Sequence, residues 1–252
     1  MLEPPTIAIL AGGLATRLGD LATHTPKSLL PIGGRPFLAW QLELMADKGL
    51  TDVVLCVGHH GQQIVDSIGQ YMPASIRVRY SFDGEQRVGT GGAIQRALPL
   101  LGETFLVTYG DSYLRADYIG IYEYFLQHRQ NVPDGGTAPL GLMTVYQNDN
   151  QFDASNVVFE GGRIAKYSKT NITDDMRHID WGLGVLTAQA FTRFASNAVL
   201  DLATVYASLV SDGKLLGYEV LERFYEIGSR QGLDEFAEKA RRGTLQSAKR
   251  GL

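Results

Sequence analysis

The sequence predicts an α/β fold: a Rossmann-like mixed, mostly parallel sheet flanked by helices, forming a single domain over residues 1–252 with a strand-rich second half. Three observations carry this. Short apolar runs alternate with amphipathic stretches through residues 1–115. A glycine-rich turn follows the first apolar run, and Gly110-Asp111 follows the fourth. Both therefore fall at carboxyl ends of strands, where ligands of such sheets sit. Beyond residue 116, strand-like runs outnumber helical ones.

Residues 6–10 read as the first strand. Residues 36–48 read as a helix, with Phe37, Trp40, Leu44 and Met45 at near-helical spacing and Gly49 as its stop. A second strand, 52–57, leads to a helix over 61–71, with Ile64, Val65 and Ile68 on one side. A third strand at 76–81, a helix opened by glycines at 89–98 and a fourth strand at 105–109 complete a β-α-β series. Such a series implies parallel neighbours with crossover helices on both faces. Residues 118–128 read as helix and 131–136 as loop. Strands follow at 138–146, 156–160, 163–168 and 180–186, with Glu160-Gly161-Gly162-Arg163 as a hairpin turn. Helices are expected at 188–195 and 201–211, short strands at 215–221 and 224–227, and a last helix at 233–242. No repeat, low-complexity tract or linker divides the chain. Residues 1–115 are expected to bind nucleotide, and 116–252 to build the opposite wall of a cleft.

The net charge of −4 argues against a nucleic-acid partner. The single cysteine, Cys56, lies in an apolar run; no intrachain disulfide is possible, which suits a reducing cytoplasm. Met1-Leu2-Glu3-Pro4-Pro5 is short and not basic, so no leader is expected, and no apolar run nears the ~20 residues that span a bilayer. No membrane partner is expected, and homo-oligomerisation is left open. The five histidines form no metal pattern, and no serine sits in a G-x-S-x-G elbow. Covalent catalysis is not suggested.

The chemistry concentrates in Leu10-Ala11-Gly12-Gly13-Leu14-Ala15-Thr16-Arg17-Leu18, closed by Thr25-Pro26-Lys27-Ser28. Glycine lets backbone N–H groups approach phosphate oxygens, and two cations can neutralise a polyphosphate. The spacing is neither that of a P-loop nor that of a dinucleotide fingerprint. Gly89-Thr90-Gly91-Gly92 is a second glycine-rich stretch. It serves either for close approach of backbone to a base edge or as a permissive helix start.

These segments, with Pro31-Ile32-Gly33-Gly34-Arg35-Pro36, Gly110-Asp111 and Glu226-Ile227-Gly228, resemble the superfamily of sugar-1-phosphate nucleotidyltransferases. The short form resembles heptose-1-phosphate guanylyltransferases, and leaves no room for the left-handed β-helix of acetyltransferase-fused relatives. The resemblance implies transfer of a nucleotidyl group from a nucleoside triphosphate to a sugar 1-phosphate, with Mg²⁺ as cofactor and surface-polysaccharide synthesis as purpose. It implies Arg17, Lys27 and Asp111 as catalytic, and Asp111 with Glu226 as metal ligands. Glu226 replaces the usual Asp, and Ala15 replaces the usual Gly. It assigns Leu10, Ala11, Gly12, Gly13, Thr16, Glu85, Gly89, Thr90 and Gly91 to the nucleotide. For the sugar phosphate it favours Lys169, with Lys166 as the other candidate, then Asp180, Trp181 and Gly182. Trp181 either stacks on the sugar or fills the core. The nucleobase is undecided. A choline-phosphate cytidylyltransferase, with Trp181, Tyr113 and Tyr167 as an aromatic cage, is the enzymatic alternative. A non-catalytic sugar-nucleotide sensor is the other.

Overall fold

Alternate residues of the first strand, β1 (Ile7–Leu10), belong to two different apolar clusters: Ala8 and Leu10 to one, Ile7 and Ile9 to the other. A strand buried on both faces needs cover on both, and helices supply it. The computed structural model describes residues 3–13, 25–58, 60–84, 86–132, 135–196 and 198–245. After β1 come β2 (Pro31–Ile32), β3 (Arg35–Pro36), α1 (Phe37–Asp47), β4 (Asp52–Val57), α2 (Gly61–Ile68), β5 (Arg77–Phe82), α3 (Gly89–Leu101), β6 (Thr104–Tyr109) and β7 (Ser112–Tyr113). The chain continues through α4 (Tyr118–Gln130), β8 (Gly141–Gln147), β9 (Val157–Glu160), β10 (Arg163–Tyr167), β11 (His178–Thr187), α5 (Leu202–Ser211), β12 (Leu215–Val220), β13 (Tyr225–Glu226) and α6 (Arg230–Arg241).

One nine-stranded sheet runs in the order β5-β4-β1-β6-β11-β8-β12-β10-β9. The four strands that the first half gives to this sheet, β1, β4, β5 and β6, are parallel, as the β-α-β series implies. The second half is not: β11 pairs antiparallel with both β6 and β8, and β10 antiparallel with β9 and β12, leaving β8–β12 as its parallel pair. The sheet is therefore mixed, and its parallel character is concentrated in the first half of the chain. Residues 188–195, read as a helix, hold only the 3-10 turn Ala188–Phe191, and 61–71 divides into α2 and the 3-10 turn Gly69–Tyr71.

Helices α3 and α5 cover one face with Ala97, Leu101, Val205 and Leu209, and α1, α2 and α4 cover the other with Leu38, Leu42, Ile64, Ile121 and Phe125. A third cluster anchors α6: the Phe236 ring lies 5.0 Å from those of both Phe37 and Tyr113. Burying such aromatic side chains stabilises each by roughly 2–3 kcal/mol. That contribution holds α6 against α1 and β7. Among the described residues, no helix is long and apolar enough to cross a membrane.

Candidate active site

The carboxyl ends of β1, β4, β5 and β6 surround a cavity of about 400 Å³. Its wall includes Leu10, Ala11, Gly12, Gly13, Gly89 and Thr90 of the residues expected from sequence to meet a nucleotide. Thr16, Arg17 and Glu85, and the Ala15 substitution, lie outside the described residues. The glycines are needed because the loops touch. A Cβ on Gly12 would stand 3.0 Å from Gly58 N, and one on Gly110 would stand 2.9 Å from both Ala11 Cα and Leu10 O. Real Cβ atoms avoid such distances, so the crowding itself accounts for glycine there.

Lys27 and Asp111 form the floor. Lys27 Nζ donates to Asp111 Oδ2 at 2.8 Å, and both side chains keep partial access to the cavity. Gln41 fixes the turn that carries Asp111. Its amide donates to the carbonyls of Tyr109 (3.0 Å) and Ser112 (2.7 Å), at the two ends of that turn. The ribbon β7–β13 pairs Ser112 with Glu226, and Ile227 N donates to Asp111 O at 2.9 Å. Residues far apart in sequence thus become neighbours. A Cβ on Gly228 would stand 2.8 Å from Glu226 Oε2, 3.3 Å from Asp111 Oδ2 and 3.4 Å from Lys27 Nζ. The Asp111 and Glu226 carboxylates therefore both approach Gly228, and they are the hard oxygen donors here that could hold Mg²⁺. Glu226 is also held in place locally. Oε2 accepts from the N–H groups of Gly228 and Ser229, and Oε1 from Ser229 Oγ, at the start of α6.

The second glycine stretch serves the fold directly. Gly91 N and Gly92 N donate to Leu200 O at 2.8 and 3.0 Å, and Leu200 N donates to Val88 O. Thr90 Oγ1 accepts from Leu202 N at 2.9 Å and donates to Asp201 Oδ1 at 3.2 Å. The start of α3 is thereby stapled to the start of α5. Gly91 faces Leu200 and Asp201, where the lack of a side chain makes room for a neighbouring stretch of chain, and it is not among the residues that line the cavity.

Lys169 Nζ lies 5.7 Å from the centre of the Tyr109 ring, a wall residue, and 3.9 Å from Asp201 Oδ1. Lys166 instead pairs with Asp175 at 2.6 Å on the exposed side of β10. Asp180 Oδ1 accepts from Gly182 N at 3.0 Å, and the irregular register of β11 between Asp180 and Gly184 accommodates this turn-like contact. Burial pushes the Asp180 carboxyl above the usual carboxylate range, against the pull of Lys169, the Gly182 N–H and Tyr167. Gly182, at φ +96°, packs beside Tyr109. Trp181 is a correction. It is 2% exposed, packs in the cluster with Leu38 and Leu42, and donates from Nε1 to Glu222 O at 2.8 Å. Successive strand residues face opposite sides, so Asp180 at the cleft puts Trp181 in the core. The aromatic cage fails for the same reason: Trp181, Tyr113 and Tyr167 lie in three different clusters.

Sequence reasoning left several wall residues unassigned, Tyr109, Ser28 and Asp83 among them. Tyr109 ends β6 with its buried hydroxyl unpartnered among the described residues, and its place beside Gly110-Asp111 was the available signal. Ser28 follows Lys27 and is likewise buried, its hydroxyl without a partner among the described residues. Asp83 follows β5, where its pairing with Gly84 reads as an ordinary turn. Burial pushes the Asp83 carboxyl up to about 6, with Arg96 pulling the other way. An acid whose folded pKa is raised holds its proton more tightly when folded, so it costs stability progressively as the pH rises from the ordinary value of 3.8, and in full above about 6. Asp83→Asn is therefore expected to raise the melting temperature at pH 7.5 by about 2–4 °C and by less at pH 5. Thermal melts at the two pH values check this; an equal or opposite shift rejects the burial cost.

A family model described as the MobA-like NTP transferase domain matches residues 7–139. The chain is 26% identical over 222 residues to an N-acetylmuramate α-1-phosphate uridylyltransferase of Neisseria meningitidis, covering 88% of this chain and 92% of that one. It is 33% identical over 109 residues to a D-glycero-α-D-manno-heptose 1-phosphate guanylyltransferase of Campylobacter jejuni, covering 43% of this chain and 48% of that protein. It is 24% identical to a mannose-1-phosphate guanyltransferase of Aspergillus fumigatus, covering 87% of this chain and 60% of that protein. The fold is similar to that of HddC from Yersinia pseudotuberculosis complexed with GMP-PN: TM-score 0.75, 22% identity, with 94% and 99% of the two chains covered.

Proposed function

The chain belongs to the MobA-like NTP transferase domain family, and on that premise we propose that it is a sugar-1-phosphate nucleotidyltransferase. It joins a nucleoside triphosphate to a sugar 1-phosphate and yields an NDP-sugar and pyrophosphate. The observation that carries this reading is the Lys27–Asp111 pair on the floor of a glycine-walled cavity, with Lys169 beyond Tyr109 on the sugar side. An oxygen of the sugar phosphate attacks the α-phosphorus in line, the bond to the β-phosphate oxygen breaks, and pyrophosphate leaves. The attacking phosphate is already ionised at neutral pH, so no general base is needed, and catalysis is positioning with charge neutralisation. Lys27 is a compact cation suited to the charge that shifts at the α-phosphate. Arg17 is assigned to the pyrophosphate. Mg²⁺ would be held by Asp111 and Glu226, and when bound it neutralises phosphate charge. We place the reaction in the cytoplasm, in keeping with the one buried cysteine, Cys56.

A pyrophosphate-release screen of the nucleoside triphosphates against a panel of sugar 1-phosphates, with and without Mg²⁺, tests the reading. Release with one pair supports it, and nucleotide binding without release from any pair overturns it. Lys169→Ala is expected to raise the KM for the sugar 1-phosphate tenfold or more, on the order of one lost charged hydrogen bond, and to leave the KM for the triphosphate nearly unchanged. Lys166→Ala is expected to change neither. Equal effects at the two lysines would reject the assignment to Lys169.

A further inference from the structure

We propose that Gln41 is a positioning residue for the metal: from inside the fold it sets the spacing of the Asp111 and Glu226 carboxylates, although it bonds to neither. This rests on the nucleotidyltransferase reading and deepens it.

Gln41 is the polar exception on the buried side of α1. Phe37, Leu38, Leu42, Leu44 and Met45 are buried hydrophobic residues of the same helix, and Gln41 among them is 2% exposed. A buried amide lowers stability unless its hydrogen bonds are made. Here the bonds are made in one direction. Nε2 donates to the carbonyls of Tyr109 and Ser112, whereas Oε1 is buried without a partner among the described residues. The helix would pack as well around an apolar side chain, which leaves no acceptor unpaired. What an apolar side chain cannot do is hold two carbonyls.

Those carbonyls close the four-residue turn Tyr109-Gly110-Asp111-Ser112, so Asp111 cannot swing away from the cavity without breaking a buried bond. The same amide reaches Glu226 through the backbone. Ser112 pairs with Glu226 across β7–β13, and Ile227 N donates to Asp111 O. The other contacts of the two carboxylates are local. Lys27 holds Asp111, and the start of α6 holds Glu226. They aim each carboxylate but do not fix the gap between the two. Mg²⁺ demands near-octahedral geometry, so its affinity depends on that gap. Groups that hold metal ligands from outside typically change affinity 10–100-fold when removed.

The test is titration of the full chain with Mn²⁺, which takes the same hard oxygen donors and whose free ion is counted by electron paramagnetic resonance. Gln41→Met removes both donors from a side chain of similar length, and its Kd for Mn²⁺ is expected to rise about tenfold or more. Gln41→Asn keeps the amide but is one methylene shorter and cannot bridge both carbonyls; a rise of about threefold or more is expected. Leu42→Ala is the control for a purely structural role. It empties a core position on the same helix and should lower the melting temperature by about 5–15 °C, with a Kd within about threefold of the wild type. Circular dichroism confirms that each variant is folded at the assay temperature. In the pyrophosphate assay both Gln41 variants should need more Mg²⁺ for half-maximal rate and recover most of the wild-type kcat at saturation. Unchanged Mn²⁺ affinity and Mg²⁺ requirement in the Gln41 variants, or a loss in Leu42→Ala as large as theirs, overturns the inference and leaves the enzyme class standing. A wild type that binds Mn²⁺ no better than Asp111→Asn overturns the metal reading with it, and a wild type that releases no pyrophosphate overturns the enzyme class.

Discussion

Lys27→Ala is expected to lower kcat for pyrophosphate release by about 10²–10³-fold, the cost of deleting one preorganised electrostatic donor from a transition state. The protein itself should remain folded. Lys27 and Asp111 are both partly exposed, and such pairs contribute about 0–1 kcal/mol, a shift of less than ~4 °C in a chain of this size. The substitution removes the ammonium and releases the Asp111 carboxylate into the cavity. Both changes add negative character where phosphate charge must be accepted. Lys27→Arg is not expected to restore the rate, because a planar fork cannot occupy the position of a point charge 2.8 Å from Asp111 Oδ2. Steady-state kinetics over a range of both substrates decide the matter. An alanine variant within threefold of the wild-type kcat rejects the role given to Lys27.

Gly89→Ala is expected to lower the melting temperature by about 5–15 °C, reflecting a cost of roughly 2–4 kcal/mol. Gly89 has φ +76°, and a Cβ there would overlap the Leu200 carbonyl, standing 2.8 Å from its carbon. That carbonyl accepts the N–H groups of Gly91 and Gly92, so pushing it away breaks the staple between α3 and α5. Gly102 is the control. Its φ of +80° is nearly the same, but nothing lies within 4 Å of its Cβ position. Gly102→Ala should show the backbone strain alone, about 1 kcal/mol. Equal melting temperatures for the two variants would mean that the contact with Leu200 is unimportant.

Much of this architecture was legible in the residues. Strand 52–57 lies where the apolar run between Thr51 and Gly58 implies. The glycine loop, Lys27 and Asp111 meet in one cavity because parallel strands bring their carboxyl ends to the same edge. The order of the second half was not legible. Local periodicity says nothing of a strand at 178–187 entering between β6 and β8, since that pairing joins residues far apart in the chain. The face presented by β11 was equally hidden. Asp180 and Trp181 had to lie on opposite sides, but alternation alone does not say which side is the cleft. Helix α6 begins at Arg230, earlier than the expected 233, because Ser229 caps it by accepting from Gly232 N; the glycine in its first turn masked that start.

The placement of β12 between β8 and β10 has a consequence for synthesis on the ribosome. β8 is apolar over most of its length, and its second neighbour arrives only when Leu215–Val220 has emerged. Until then its backbone groups form an open template for pairing with other nascent chains. Translation that stalls after α5 leaves that template uncovered, so the burden on chaperones falls on the last stretch of elongation, before the acidic partner of Asp111 has been made.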